Sequence, residues 1–141
     1  MSDLKFRKLE KKDFKNFINI LNEFRTIENL TEQLFYQMYE KTFQNNFIFV
    51  IEYKKQIIAS AKLLVDQKFF NNFALYGFIE DVIVTKKFRK QNIGTFLIKN
   101  IINFCKEKKF YKVTLTCKNK LTPFYQKNNF EIYDVHMSQL I

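Results

Sequence analysis

A chain of 141 residues that is 47% hydrophobic and 18% aromatic can bury one ordinary core, which excludes an intrinsically disordered chain. Its net charge of +10 points to a polyanionic partner (nucleic acid, an anionic membrane or a small phosphorylated ligand), although a Lys-rich background gives the same charge with no such partner. No run of five basic residues occurs and acids interleave throughout, which argues against a nucleic-acid-binding tail.

Residues 4–9 read as a short strand. Residues 12–24 set Phe14, Phe17, Ile18, Leu21 and Phe24 at helical spacing, with Asp13 in the first turn. Thr31 reads as an N-cap, and Leu34, Phe35, Met38 and Tyr39 continue as a second helix. Residues 47–52 form a dense β-branched and aromatic run, 53–56 a turn, and 57–65 the returning strand. Residues 66–74 are an irregular loop with Lys68 and two exposed aromatics, Phe69 and Phe70. Residues 75–84 form a long strand, in which strict alternation puts Phe78, Glu80, Val82 and Val84 on one face and Ile79, Asp81 and Ile83 on the other. Ile93, Leu97, Ile101 and Cys105 step at i+4 along a helix ending near 108–109. Residues 111–117 make another strand, Pro123 opens a short helix through 127, and 130–135 make a closing strand. No repeat, linker or boundary interrupts the chain. The order predicts an α/β fold: one domain over 1–141, with a mixed central β-sheet flanked by helices.

Cys105 and Cys117 lack metal-ligand spacing and a nearby His, and both sit in apolar-patterned segments. Two buried, reduced thiols are therefore expected. The lone His136 cannot anchor a metal, so no metal is expected. The first residues show no signal-peptide core, and no apolar run approaches the roughly 20 residues of a membrane span. A cytoplasmic location is the expectation.

Three segments carry chemistry. The turn Lys86-Lys87-Phe88-Arg89-Lys90-Gln91-Asn92-Ile93-Gly94 joins a strand to a helix N-terminus. That arrangement offers converging N–H donors and cationic charge to a pyrophosphate. Glu80 and Asp81 are adjacent acids inside an apolar strand. Acids are depleted in strands and costly to bury unpaired; a bulge, common beside active sites, would decide whether the two share a face. Tyr125, in Thr122-Pro123-Phe124-Tyr125-Gln126-Lys127, carries a phenol able to protonate a departing thiolate.

With these residues in place, the chain resembles the acetyl-CoA-dependent N-acetyltransferases of the GNAT superfamily essentially end to end. The run Leu64-Val65-Asp66-Gln67-Lys68-Phe69-Phe70, the strand Gly77 to Val84, the segment Tyr111-Lys112-Val113 to Cys117 and Phe124-Tyr125-Gln126-Lys127 are similar to the glucosamine 6-phosphate N-acetyltransferase family in particular. The resemblance implies acetyl transfer from acetyl-CoA to the 2-amino group of glucosamine 6-phosphate, giving N-acetylglucosamine 6-phosphate for UDP-N-acetylglucosamine synthesis. It implies that Val82, Ile83 and Val84 pair with the pantetheine arm. Arg89, Lys90, Gln91, Asn92, Ile93, Gly94 and Thr95 would hold the pyrophosphate side, with Thr116 also at the cofactor. Tyr125 would meet the coenzyme A sulfur, and Glu80 and Asp81 would hold the amino sugar and favour its free amine. Lys68, Phe69, Phe70, Asn71, Tyr111 and Lys112 would form the sugar-phosphate pocket. The family's homodimers share pockets between subunits, and neither nucleic acid nor membrane insertion is implied. Three other readings stand beside it: a GNAT enzyme acting on a polyamine or protein amine, a basic nucleic-acid-binding module, and a GNAT-like domain that keeps cofactor binding but has lost activity.

The chain departs from the family pattern at named positions. Lys90 and Asn92 stand where glycines are usual, Asn129 where a glycine precedes Phe130, and Leu121 where Asn is common. Leu140 falls where an arginine grips the sugar phosphate, and Arg25, where a small hydroxyl residue is usual, is expected to supply the missing cation.

Overall fold

Two lysines turn the first hairpin. Lys54 and Lys55 take φ of 47° and 63°, the left-handed pair that a two-residue connection needs to match strand twist. They join β2 (Phe47–Tyr53) to β3 (Gln56–Gln67). In the computed structural model, which describes residues 3–141, these strands lie in a five-stranded sheet ordered β1-β2-β3-β4-β5. β1 is Lys5–Lys8, β4 is Leu75–Val84 and β5 is Lys112–Leu115. All neighbours run antiparallel except β4 and β5, which are parallel. The sheet is mixed, as predicted.

Helices cover both faces. On one, α4 (Ile93–Glu107) buries Ile93, Leu97, Ile98, Ile101 and Cys105 against Phe49, Ile51, Ala61, Leu63 and Ile79. Each fully buried Leu or Ile contributes about 1.5–3 kcal/mol, so this seam is the main apolar adhesive of the fold. Gly77 lies under it: a Cβ there would stand 3.0 Å from Leu63 Cδ1 and 3.3 Å from Phe110 and Val113 side-chain atoms. On the other face, α1 (Phe14–Phe24) and α2 (Glu32–Thr42) bury Phe17, Ile20 and Phe35 against Leu9, Val50 and Ile57. Thr31 caps α2, its Oγ1 accepting from Leu34 N at 3.1 Å, as expected.

Arg7 pins α1 to the sheet. Its guanidinium donates to both Asp13 oxygens, at 2.7 and 2.9 Å, and from Nε to Glu52 Oε2 at 2.9 Å. Burial pushes the Asp13 carboxyl up. The hydrogen bonds from Arg7 and from Glu10 N–H outweigh that and hold it below the ordinary carboxylate value.

Four expectations are corrected. Residues 130–135 form no strand: after α5 (Thr122–Lys127) the chain runs without ladder partners, and Ile132, Tyr133, Val135 and Met137 are exposed. β5 is only four residues long, and its edge away from β4 stays unpaired among the described residues. Cys117, expected to be buried, lies exposed just past the end of this shortened strand, whereas Cys105 is buried in the α4 seam. The predicted irregular loop holds one turn, α3 (Phe70–Phe73), but Asn71, Asn72 and Phe73 all have φ between 53° and 58°, so the segment is left-handed rather than helical.

Candidate active site

β4 carries the bulge on which its two acids depend. In its register with β3, Glu80 faces Lys62 and Ile83 faces Ser60, leaving Asp81 and Val82 together opposite the single Ala61. Asp81 sits at φ 52°. The inserted residue breaks strict alternation: Ile79, Val82 and Val84 all pack into the α4 cluster, so Val82 and Val84 do not share a face with Glu80. Glu80 points to the side α4 does not cover and forms an ion pair with Lys62 at 3.4 Å. Asp81 is exposed and has no ion pair among the described residues.

The sheet splits at the same place. β5 pairs with β4 only from Tyr76 to Ile79, so beyond Ile79 the β5 side of β4 has no strand beside it. Val82, Ile83 and Val84 thus present backbone donors and acceptors along an open edge. An extended arm carrying amides can pair there as a strand would.

The turn after β4 closes this cleft at one end. Lys86–Phe88 forms a tight 3-10 turn, Arg89 Nε donates to Val84 O at 3.0 Å, and Gln91 Nε2 donates to Lys87 O at 3.0 Å. Glu23, at the end of α1, accepts from Lys86 N at 2.8 Å and ties the turn to the opposite layer. Lys90 and Asn92 have φ of 62° and 61°. These are the left-handed positions at which glycine is cheapest, which explains the family's preference there. Asn92 caps α4, so the N–H groups of Ile93, Gly94 and Thr95 have no partner within the helix. Left-handed turn residues followed by a helix N-terminus form a concave set of donors that fits a diphosphate.

Gly94 is needed for close approach. A Cβ there would lie 3.1 Å from the Phe124 ring, which rests on the start of α4 and sets α5 in place. The next residue, Tyr125, is 8% exposed, with ring centroids 4.9 Å from Phe124 and 6.0 Å from Phe130. Burial pushes its phenol up to about 12, with neighbouring Cys117 adding to the shift. The hydroxyl has no hydrogen-bond partner among the described residues and remains a protonated donor at neutral pH. Asn129 closes the α5 turn at φ 64°, a conformation Asn tolerates. Thr116 is exposed beside Cys117, past the end of β5.

On the acceptor side the residues gather around one that sequence reasoning missed, Tyr76. Lys68 Nζ lies 5.5 Å and Lys112 Nζ 5.2 Å from its ring centroid, and Tyr111 stacks on it at 5.3 Å. Asn71 Nδ2 donates to its hydroxyl, and Lys68 also forms an ion pair with Asp66. The available signal was alternation: Tyr76, Phe78 and Glu80 lie two apart along β4. Phe69 and Phe70 are exposed as expected. Arg25 caps the end of α1, exposed and without an ion pair among the described residues; Leu140 is 98% exposed.

Comparison with known proteins agrees with this geometry. The profile of the acetyltransferase (GNAT) family matches residues 14–130. A glucosamine 6-phosphate N-acetyltransferase of Arabidopsis thaliana is 30% identical over 96% of this chain and 95% of its own length. A probable glucosamine 6-phosphate N-acetyltransferase of Drosophila melanogaster is 30% identical over 87% of this chain, which spans 58% of that longer protein. The crystal structure of glucosamine-6-phosphate N-acetyltransferase from Arabidopsis thaliana superposes with a TM-score of 0.91 at 29% identity, covering 97% of both chains. The open β4 edge, the donor-lined turn and the buried phenol are therefore features of a chain that belongs to the acetyltransferase (GNAT) family, alongside the glucosamine 6-phosphate N-acetyltransferases.

Proposed function

We propose that this chain, acting as one N-acetyltransferase domain, transfers the acetyl group of acetyl-CoA to the 2-amino group of glucosamine 6-phosphate. The observation that carries the reading is the edge of β4 beyond Ile79, free of a strand and bounded by the left-handed turn and Tyr125. Relatives named for this reaction support the acceptor. The lysines at Tyr76 and Glu80 favour an anionic amine over a polyamine.

Acetyl-CoA supplies an activated acyl group as a thioester. Val82, Ile83 and Val84 hold its arm along the open edge, while Arg89, Lys90, Gln91 and Asn92 with the N–H groups of Ile93, Gly94 and Thr95 hold the diphosphate. Glu80 and Asp81 seat the amino sugar and favour its neutral amine. The amine nitrogen then bonds to the thioester carbonyl carbon, the carbon–sulfur bond breaks, Tyr125 gives its proton to the departing sulfur, and the proton that the nitrogen sheds returns through solvent to restore the phenol. Orientation and stabilisation of the oxyanion supply the rest. Lys68, Asn71, Tyr111 and Lys112 serve the sugar phosphate.

The chain acts as a cytoplasmic homodimer. The exposed apolar tail, with Ile132, Tyr133, Val135 and Met137, and the unpaired edge of β5 support a second copy. Light scattering after gel filtration checks this, and a monomer at micromolar concentration refutes it.

Thiol release from acetyl-CoA, followed with glucosamine 6-phosphate, glucosamine and spermidine in parallel, tests the function. Turnover is expected with the phosphorylated sugar. Turnover confined to spermidine would discard the acceptor and keep the family.

A further inference from the structure

The two thiols of this chain stand in opposite surroundings. Cys105 is enclosed in the α4 seam, where burial pushes its thiol up to about 12, and a reagent reaches it only through opening of the core. Cys117 is exposed and free. A disulfide at Cys117 therefore takes its second sulfur from outside the chain. Its place in the fold is specific. β5 pairs with β4 as far as Leu115, opposite Ile79, and Cys117 follows two residues later. It stands where the two strands part and the free edge of β4 begins. α5 brings the other half of the arrangement. Tyr125 is 8% exposed, yet its hydroxyl has no hydrogen-bond partner among the described residues. Besides burial, Cys117 is the group that raises this phenol, so thiol and phenol are neighbours. A buried phenol without a partner marks a place for a ligand atom. In the function proposed above, that atom is the coenzyme sulfur.

We propose that Cys117 is a modification site for the coenzyme itself, exchanging with a disulfide of coenzyme A to form a mixed disulfide that blocks the acetyl-CoA cleft. The inference rests on the cleft assigned above and not on the identity of the acceptor. The Cys117 thiolate attacks one sulfur of the coenzyme A disulfide, and the bond between the two coenzyme sulfurs breaks. The second coenzyme A leaves as a thiolate and takes up the proton that Cys117 gave up. The disulfide carries the oxidation, so no further oxidant is consumed, and a reduced thiol runs the exchange backwards. The cleft supplies the selectivity. With its arm along the edge of β4 and its diphosphate in the turn, the bound half presents its sulfur beside Tyr125, and so to Cys117. A small disulfide without those contacts does not reach the same effective concentration. Once modified, the cleft no longer admits acetyl-CoA, and the redox state of the coenzyme pool sets the active fraction.

The test is intact-mass spectrometry of the full chain incubated with coenzyme A disulfide, with glutathione disulfide in a parallel arm. A gain of a single coenzyme A is expected, and peptide mapping places it on Cys117. It forms about 10²-fold faster than the glutathione adduct at equal concentration. Acetyl-CoA at about ten times its Kd slows it about tenfold, because the two compete for one cleft. Dithiothreitol removes the adduct and restores the rise in melting temperature that acetyl-CoA gives the unmodified protein. Cys117→Ser gains no mass and keeps its kcat within about twofold. Mapping in the original protein locates the adduct whether or not that variant folds. Equal rates with both disulfides, no protection by acetyl-CoA, or no adduct on Cys117 overturns the inference and leaves the function intact. Original protein whose melting temperature does not rise with acetyl-CoA overturns the cleft, and the function and this site with it.

Discussion

Two places on the sheet bring a cation to acids, and they are built differently. At Arg7 each charge is answered: the guanidinium spans both Asp13 oxygens, Glu52 and the Lys8 carbonyl, and the Asp13 side chain is 6% exposed. At Lys62 and Glu80 one long contact joins two half-solvated side chains. The first arrangement fixes β1, β2 and the start of α1 in one geometry and leaves no donor for a visitor. The second is loose, worth about 0–1 kcal/mol as an ion pair, and its unused donors and lone pairs lie on the face away from α4. The saturated cluster fixes the fold, whereas the looser pair at the bulge leaves the Glu80 carboxylate available to the proposed acceptor.

Breaking the saturated cluster has the largest effect on stability. Arg7→Met strands Asp13 as a charge with its guanidinium removed, a loss of about 3 kcal/mol in urea unfolding at neutral pH. The KM for either substrate should hold in the folded fraction. The pH dependence follows from the Asp13 carboxyl, held below its ordinary value of 3.8 in the folded state. Its contribution is present above that value and is lost as pH falls through the lower folded value, because the unfolded chain takes up the proton first. The parent protein should therefore lose stability on acidification in that window, and the variant should lose less. Equal acid sensitivity in both would refute the account of Asp13.

Tyr125→Phe acts on the chemistry instead. The substitution keeps the ring contacts with Phe124 and Phe130 and removes the hydroxyl proposed to protonate the departing sulfur. A loss of about 10²-fold in kcat is expected, with the KM for acetyl-CoA and the melting temperature little changed. An unchanged kcat would mean that the sulfur leaves without this proton.

How much of this was legible differs by residue. Ile93, Leu97, Ile101 and Cys105 announce α4 because a helix face is a local pattern, and every one of them is buried. Thr31 and Pro123 mark helix starts for equally local reasons. The bulge at Asp81 was legible only as an option, since the register depends on β3, about twenty residues away in sequence. Lys62 and Tyr76 were missed because they matter through partners across the ladder. The strand expected over 130–135 has a strand-like sequence and no ladder partner among the described residues. Arg25 was reasoned from the arginine that the family carries where this chain has Leu140; nothing local to α1 brings it to the acceptor side, and its side chain stands exposed at the helix end.

The smallest effect separates a strained turn from a merely unusual one. Lys90 and Asn92 both occupy left-handed backbone, but only Asn has a short polar side chain that tolerates it. Lys90→Gly relieves roughly 1–2 kcal/mol of folded-state cost and returns about 0.5–1 kcal/mol as unfolded-chain entropy. The net gain of about 1 kcal/mol raises the melting temperature by about 3 °C. Asn92→Gly should change it by less. The glycine also lets the backbone approach the diphosphate, whereas the lost ammonium weakens attraction over longer range. Raised salt screens the second contribution and not the first. At high ionic strength Lys90→Gly should therefore bind acetyl-CoA at least as tightly as the parent. Weaker binding at every salt concentration would show that the Lys90 side chain itself grips the phosphate, and that its left-handed backbone is retained for that contact.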